Sequence, residues 1–500
     1  MGAPAYKAPL AAATPSTTRQ RGESAQHSLL HLQPPPVHHP SATTQRLARI
    51  AEALAPMAPK VLVIGSGARE HALLRGLAKS EQRPQLYCFA SSHNPGVRDE
   101  CAGSGGTYAV GKINSPEDVC AFAATVGAEL AIIGPEAPLE TGVADALWDA
   151  GVACVGPKKA LAQLETSKAF TRDLQTKYSL PGSIKIRTFF SLDGIKEFIE
   201  DDLKGEYVVK ADGLCGGKGV MVSGDHLHST EDALAYCRQL LQKDGDKLVI
   251  EEKLVGQEFS IISFCDGENC AHFPPVQDHK RAYHGDLGPN TGGMGSYSCA
   301  DHLLPFLSAA DVAEAQKINE ATAAALLQEF GEGYKGILYG QYMSTTSGQK
   351  VIEFNARFGD PEALNLISIM ESDLLAMCQA VASGTLSQDH ARFLPMATVC
   401  KYAVPSGYPQ SAVKGCPVDV TAVENQDLLY LGAVAEVDTP QGKVLHATGS
   451  RTAGVVGVAP TLEDAEKIAE AEANRVWGAV WHRRDIGTVR PRTNLSLLAP

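Results

Sequence analysis

Residues 351–363 read VIEFNARFGDPEA. Val351, Ile352 and Phe354 mark a short buried strand. Side chains alternate along a strand, which puts Glu353 and Asn355 on one face and Ile352 and Phe354 on the other. A carboxylate and an amide carbonyl side by side are hard oxygen donors. They suit Mg²⁺, which takes few protein ligands and completes its shell with water and nucleotide phosphates. Arg357, the turn Gly359-Asp360-Pro361 and Glu362 then place charge of both signs at the mouth of the strand. A bare E-x-N describes the polar face of an edge strand equally well, so its reading depends on the motifs that precede it.

The chain has 500 residues, too many for one core, and is expected to divide into about three domains. Its 57 Asp and Glu outnumber 44 Lys and Arg, and no large basic block occurs, which excludes general binding to nucleic acid or anionic membranes. The 12 cysteines are scattered without a C-x-x-C pair, so neither a zinc site nor a disulfide framework is indicated and a reducing compartment is expected. No apolar run approaches the roughly 20 residues of a transmembrane helix. Residues 1–58 are rich in Ala, Ser, Thr, Pro and His, carry only Glu23 and Glu52 as acids, and lack the apolar core of a secretory signal. This composition predicts an organellar transit peptide, with the plastid stroma as the expected address and mitochondrion or cytosol as alternatives.

Beyond that extension, strands are expected at 61–64, 86–90, 130–133 and 152–155. The helices between them start after Gly67, at Ser115-Pro116 and near Leu139. This alternation predicts a doubly wound parallel sheet whose ligand site lies beyond the strand C-termini, at Gly65-Ser66-Gly67 and Pro135-Glu136. The G-x-G is a weak dinucleotide signal, because the third glycine position is Glu70 and the second strand ends in Ala90-Ser91-Ser92 without an acid. A single phosphate at the helix N-terminus fits better.

From residue 156 the pattern changes. Lys168 lies in an expected helix. The strand 206–210 runs into ADGLCGGKG (211–219), a glycine-rich hairpin, and a strand resumes at 220–222. Asp212 and the glycine after Lys218 exclude a Walker loop. Gly216 and Gly217 would still let the backbone close over phosphates, while Lys210 and Lys218 supply cations. The strand 248–251 ends in Glu251 and Glu252, with Glu258 past a turn, groups suited to an adenine edge and ribose hydroxyls. Residues 277–295 (QDHKRAYHGDLGPNTGGMG) gather Asp278, His279, Lys280 and Arg281 with a loop containing Thr291, Gly292 and Gly293, the composition of a substrate and phosphate loop. A helix over 311–330 and a strand over 337–343 lead into 351–363. Short strands are expected at 397–402, 429–436 and 444–446, and a helix from Thr461. No chemistry is legible there; Arg451 and His482-Arg483-Arg484-Asp485 could line a cleft, though a solvated face is the preferred reading.

Taken in order, VLVIGSGAREHAL, IIGPEAPL, SKAFTRD, VVKADGLCGGKGV, VIEEKLVGQEFS, QDHKRAYHGDLGPNTGGMGSYS and VIEFNARFGDPE resemble the glycinamide ribonucleotide synthetases (phosphoribosylamine–glycine ligases), a family of the ATP-grasp superfamily. The resemblance spans about residues 61–488. It implies an α/β and α+β chain: an N-terminal doubly wound parallel sheet (59–160), a central ATP-grasp domain (161–391) and a small mixed α/β C-terminal domain (392–490), before a tail (491–500). Within the central domain, about 185–255 would form a mobile subdomain over the nucleotide. The resemblance also implies ATP with Mg²⁺ or Mn²⁺, the substrates glycine and 5-phosphoribosylamine, and ligation through a glycyl phosphate in purine biosynthesis. The sequence itself does not give the oligomeric state, for which a monomer is the expectation.

In that scheme Lys168, Lys210, Gly216, Gly217 and Lys218 hold the ATP phosphates, Glu251, Glu252 and Glu258 the adenosine, and Glu353 and Asn355 the metal. Gly65, Ser66, Gly67, Arg69 and Glu136 receive phosphoribosylamine. Lys280, Arg281, Thr291, Gly292 and Gly293 form the substrate loop, and Lys210, Asp212, Asp278 and Arg357 act at the reacting centre. Gln341 and Leu364 depart from the family pattern and leave the finer substrate contacts open. Three alternatives compete. Another ATP-grasp carboxylate–amine ligase would differ over 277–295, a dinucleotide oxidoreductase would bind nicotinamide, and a non-catalytic nucleotide binder would show no turnover.

Overall fold

Four consecutive fully buried apolar residues, Val61 to Ile64, make Lys60–Ile64 the middle strand of a five-stranded sheet. A computed structural model describes residues 58–214, 219–243, 245–440 and 442–488. The stretch expected to be a transit peptide, residue 58 apart, and the 491–500 tail lie outside the described residues. The sheet order is Tyr108–Val110, Gln85–Ala90, Lys60–Ile64, Leu130–Ile133, Ala153–Val155, with every pair parallel. The chain winds outward from Lys60–Ile64 first one way and then the other. Such a reversal opens a crevice at the strand C-termini, here after Ile64 and after Ile133. Gly65 turns the chain there at φ +124°, and a Cβ on it would meet Glu70 Cδ at 2.7 Å. Tyr108–Val110 escapes the sequence reading because three partly exposed residues on a sheet edge show no period.

Gln257–Asp266, Lys335–Thr345 and Gly348–Asn355 form an antiparallel sheet with Cys270–His272 at its edge. The helix Ala309–Phe330 packs on it through Ala315, Ile318 and Leu326. Gln341 pairs with Glu353 and Tyr342 with Val351, so Ile352 is an extra residue, a β-bulge. Alternation breaks at that point. Val351 and Phe354 are buried in the core, whereas Ile352 is partly exposed like Glu353 and Asn355. The expected placing of Ile352 beside Phe354 is corrected by that one inserted residue.

A second four-stranded sheet runs Ile186–Phe189, Leu248–Glu252, Tyr207–Ala211, Val220–Val222. It has its own core of Phe189, Phe198, Ile199, Tyr207, Val209 and Ile250, to which the helix Thr230–Leu240 adds Ala233 and Cys237.

The late part of the chain is not walled off at residue 392. Gly295–Ser298 pairs with Ala397–Pro405, matching Ser296 to Cys400 and Tyr297 to Val399, and the same sheet continues from Gln277–Asp278 to Ala453–Ala459 and Leu429–Leu431. The strand expected at 429–436 is two: Leu429–Leu431 stays in this sheet and Val434–Thr439 joins another, with Gly442–Ala447 and Pro417–Asp419. Gly432 makes the corner, where a Cβ would fall 2.6 Å from the Arg451 carbonyl oxygen.

Candidate active site

One cavity of about 1140 Å³ is lined by Arg69 and Glu136 from the parallel-sheet region, by residues of the two four-stranded sheets that carry Lys210 and Glu353, and by Arg451 and Asp485 of the late segment. Lys210 and Glu251 lie on the paired strands Tyr207–Ala211 and Leu248–Glu252. Lys210 Nζ is 2.6 Å from Glu251 Oε2, and Arg172 Nε is 2.7 Å from Glu251 Oε1. Lys210 and Arg172 also donate to the carbonyl of the bulged Ile352, at 3.0 and 2.7 Å. Burial pushes the Glu251 carboxyl up, but Arg172 and Lys210 outweigh it and hold it below the usual range. The Lys210 ammonium is lowered by burial against the pull of Glu251. Glu251, expected on the adenosine, lines the cavity, and its carboxylate is held there by these two cations, because a buried carboxylate needs such partners. Glu252 accepts from the Lys185 N–H at 2.8 Å, and Glu258 Oε2 accepts from Gln341 Nε2 at 3.0 Å; both line the cavity.

Lys168 opens the helix Lys168–Lys177, lines the cavity, and donates to Gly213 O at 3.0 Å. Asp212, expected at the reacting centre, does not line the cavity. It accepts from Ala169 N–H at 3.0 Å and Ser167 Oγ at 3.2 Å, and pairs with Lys247 Nζ at 3.2 Å. A carboxylate at the free N–H groups of a helix start is a structural tie, here from the hairpin to that helix. Gly216, Gly217 and Lys218 lie outside the described residues.

Glu353 faces Lys280, whose Nζ is 3.8 Å away and donates to Gln341 Oε1 at 2.6 Å. Gln341 therefore bridges Glu258 and Lys280, while Leu364 is simply core. Burial raises the Glu353 carboxyl, yet Lys280, Lys210, Lys168 and Arg357 together hold it below its ordinary value, so it is an anion. Asn355 Oδ1 is 3.4 Å from Arg357 Nη2. An ionised carboxylate and an amide oxygen, both lining the cavity, fit a hard divalent cation such as Mg²⁺. Among the described residues no cluster of three His, Cys, Asp or Glu could hold one, so water and phosphate oxygens would complete the shell.

Arg357 Nη2 is 2.9 Å from Glu165 Oε1, and Nε is 3.6 Å from Glu136 Oε2. Glu165, on the helix Lys159–Thr166, also accepts from Ala356 N–H at 2.7 Å. Burial pushes the Glu165 carboxyl up despite Arg357. Burial also raises that of Glu136, but Arg357 and Arg69 outweigh it and leave it low. Arg69 pairs with Glu70 at 2.6 Å and donates to Phe358 O at 3.1 Å. Arg69 and Glu136 line the cavity; Gly65, Ser66 and Gly67 do not. Glu70 reaches back to accept from the Gly67 N–H, so a carboxylate already holds the helix N-terminus expected for a phosphate. Ser66 Oγ bonds Ser91 and Ser92 at 3.1 and 3.0 Å.

Asp278 Oδ1 is buried without a hydrogen-bond partner among the described residues. Burial, opposed by Lys280 and reinforced by Glu362, pushes its carboxyl to about 6. Thr291 Oγ1 donates to Lys280 O at 2.9 Å. Arg281 lines the cavity and pairs with Asp225 at 3.0 Å. Its carbonyl accepts from the fully buried Arg483, which pairs with Asp286 at 2.9 Å and Asp485 at 2.7 Å. Arg451 donates to Gly292 O at 2.6 Å and Gly293 O at 3.2 Å, pairs with Asp360 at 2.9 Å, and lies 4.7 Å over the Tyr402 ring. Arg451 and Asp485 line the cavity, which favours the cleft reading of that late segment over the solvated face. Glu165 and Arg172 were missed as well. Their partners lie far along the chain, so no local pattern announces them.

Residues 59–165, 166–363 and 398–489 match in turn the N domain, the ATP-grasp (A) domain and the C domain of phosphoribosylglycinamide synthetase. A phosphoribosylamine–glycine ligase of Methanosarcina barkeri is 46% identical over 429 residues, 86% of this chain and 96% of that protein. The crystal structure of phosphoribosylamine–glycine ligase from Thermotoga maritima matches with a TM-score of 0.71 at 27% identity, over 85% of this chain and 100% of that one. The biotin carboxylase domain of the 2-oxoglutarate carboxylase of Hydrogenobacter thermophilus, solved with MgADP and bicarbonate, shares the fold: TM-score 0.61, 17% identity, 85% of this chain and 92% of that one. With all three domains matched in order along it, the chain belongs to the phosphoribosylglycinamide synthetase family.

Proposed function

We propose that this chain is an ATP-dependent ligase that joins glycine to 5-phosphoribosylamine, giving glycinamide ribonucleotide, ADP and phosphate in purine biosynthesis. The observation that carries this reading is one cavity that gathers Lys168, Lys210 and Lys280 around Glu353 and Asn355, with Arg357, Glu136 and Glu165 beside them. Family membership and the names of the similar proteins support it.

A glycine carboxylate is a poor electrophile. It attacks the γ-phosphorus of ATP, releasing ADP and forming glycyl phosphate. The amine of phosphoribosylamine then attacks the carbonyl carbon and loses a proton as phosphate leaves. Phosphoryl transfer needs alignment and neutralised charge. Lys168 and Lys210 supply fixed cations, and Mg²⁺ on Glu353 and Asn355, with Mn²⁺ as a substitute, would neutralise the phosphates further. Asp278, ionised above about pH 6, can take the proton of the attacking amine.

ADP release in the presence of freshly made phosphoribosylamine tests the reading: it should require glycine and fail with other amino acids. Equal ADP release without glycine would overturn it. The working unit we propose is a monomer, and sedimentation checks this. The composition of residues 1–58 supports import into plastids, which a fluorescent fusion of that segment tests.

A further inference from the structure

Cys265 and Cys270 stand directly opposite each other on the hairpin joining Gln257–Asp266 to Cys270–His272. The flanking hydrogen bonds define the kind of pair. Phe273 N–H donates to Ile262 O at 2.8 Å and Asp266 N–H to Asn269 O at 3.1 Å, so residues 265 and 270 occupy the non-hydrogen-bonded position between. At such positions the Cα atoms approach to about 4.5 Å and the side chains are closest. That spacing falls inside the roughly 4.4–6.8 Å that disulfides span. The two sulfurs are already 3.2 Å apart. The turn holds them there: Asp266 Oδ1 accepts from Glu268 and Asn269 N–H at 3.0 and 2.7 Å, and Oδ2 from Leu386 N–H at 2.9 Å.

We propose that Cys265 and Cys270 are a dithiol modification site, converted to an intramolecular disulfide by low-molecular-weight disulfides such as oxidised glutathione. Cys270 is the partly exposed member and Cys265 is fully buried. The hydrogen bond to Cys270, together with burial, pushes the Cys265 thiol well above its ordinary range, so entry is through Cys270. The Cys270 thiol gives its proton to solvent, and its sulfur attacks one sulfur of the glutathione disulfide. That S–S bond breaks and one glutathione thiolate leaves. Cys265 then loses its proton and attacks Cys270 Sγ, displacing the second glutathione. Two protein thiols are oxidised and one glutathione disulfide is reduced to two thiols. Neither cysteine lines the cavity, so turnover should persist in both states.

Lys253 and Lys280 bracket both cysteines with no Lys or Arg between them, so one tryptic peptide reports the pair. The native full chain is equilibrated in glutathione buffers, acid-quenched, alkylated, digested and weighed. In the wild type this peptide should escape alkylation and be lighter by two hydrogen atoms, returning to the doubly alkylated form in reduced buffer. Cys265→Ser should stall with glutathione on Cys270, and Cys270→Ser should leave Cys265 as a thiol. A wild-type peptide that stays doubly alkylated, or that keeps glutathione on Cys270, overturns the proposal without recourse to either variant.

Discussion

Two charge clusters in the cavity wall, one buried and one half-buried, are built with inverted signs. At Glu251 one carboxylate lies between two cations, Arg172 and Lys210. At Arg357 one guanidinium lies between two carboxylates, Glu165 and Glu136. Lys210 and Arg357 both act on Glu353, which stands between the two arrangements. The first cluster offers surplus positive charge, suited to nucleotide phosphates; the second offers surplus negative charge, suited to an amine. They also differ in how they fail. A buried carboxylate left alone can take up a proton, and burial has already moved Glu165 that way. A guanidinium left alone cannot lose one.

Glu251→Ala should therefore do the most damage. It strands Arg172 in the interior, and removing one partner of a buried pair costs about 3–5 kcal/mol. Urea unfolding measures this, and a loss under about 1 kcal/mol would put the pair in the solvated class. Glu353→Ala leaves both clusters intact, so turnover should fall about 10²–10³-fold while the melting temperature holds. Activity within a few-fold of wild type would remove Glu353 from the metal site.

Arg357→Met should cost less stability, about 1–3 kcal/mol. The cost should shrink as pH falls, because Glu165, already raised, then binds a proton in the native state more readily than in the unfolded one. A cost that stays constant with pH would end the contrast between the clusters. Asp278→Asn removes the group proposed to take the amine's proton, so turnover should fall, but its effect on stability should be smaller than that of either cluster variant. The folded carboxyl titrates at about 6, above the roughly 4 of an unfolded aspartate, so its ionised form weakens the fold above pH 6 and not below about pH 4. The variant should melt slightly higher than wild type near neutrality and level with it in acid. Equal melting throughout would mean that Asp278 is solvated.

The parallel sheet is legible in the chain because 61–64 is an unbroken apolar run followed by a glycine turn, and Ser115-Pro116 caps a helix as its residue types dictate. The Glu353–Asn355 pair is legible because strand geometry is local. The bulge at Ile352 is not, since an inserted residue leaves no mark in an apolar stretch. Asp212 is put at the reacting centre by the family resemblance alone; its ties to Ser167 and Ala169, more than forty positions earlier, are out of reach of any local pattern. Arg451 and Arg172 are hidden likewise, by partners that only folding brings near.

The strand Gly295–Ser298 has the late segment as a neighbour on one side. Deleting everything after residue 396 would bare a row of backbone donors and acceptors and release the Gly292 and Gly293 carbonyls from Arg451. Exposed strand edges recruit other chains. The last fifth or so of the polypeptide is thus a sealing piece, and a shortened version would polymerise through its own main chain although Glu353 and Asn355 remain in it.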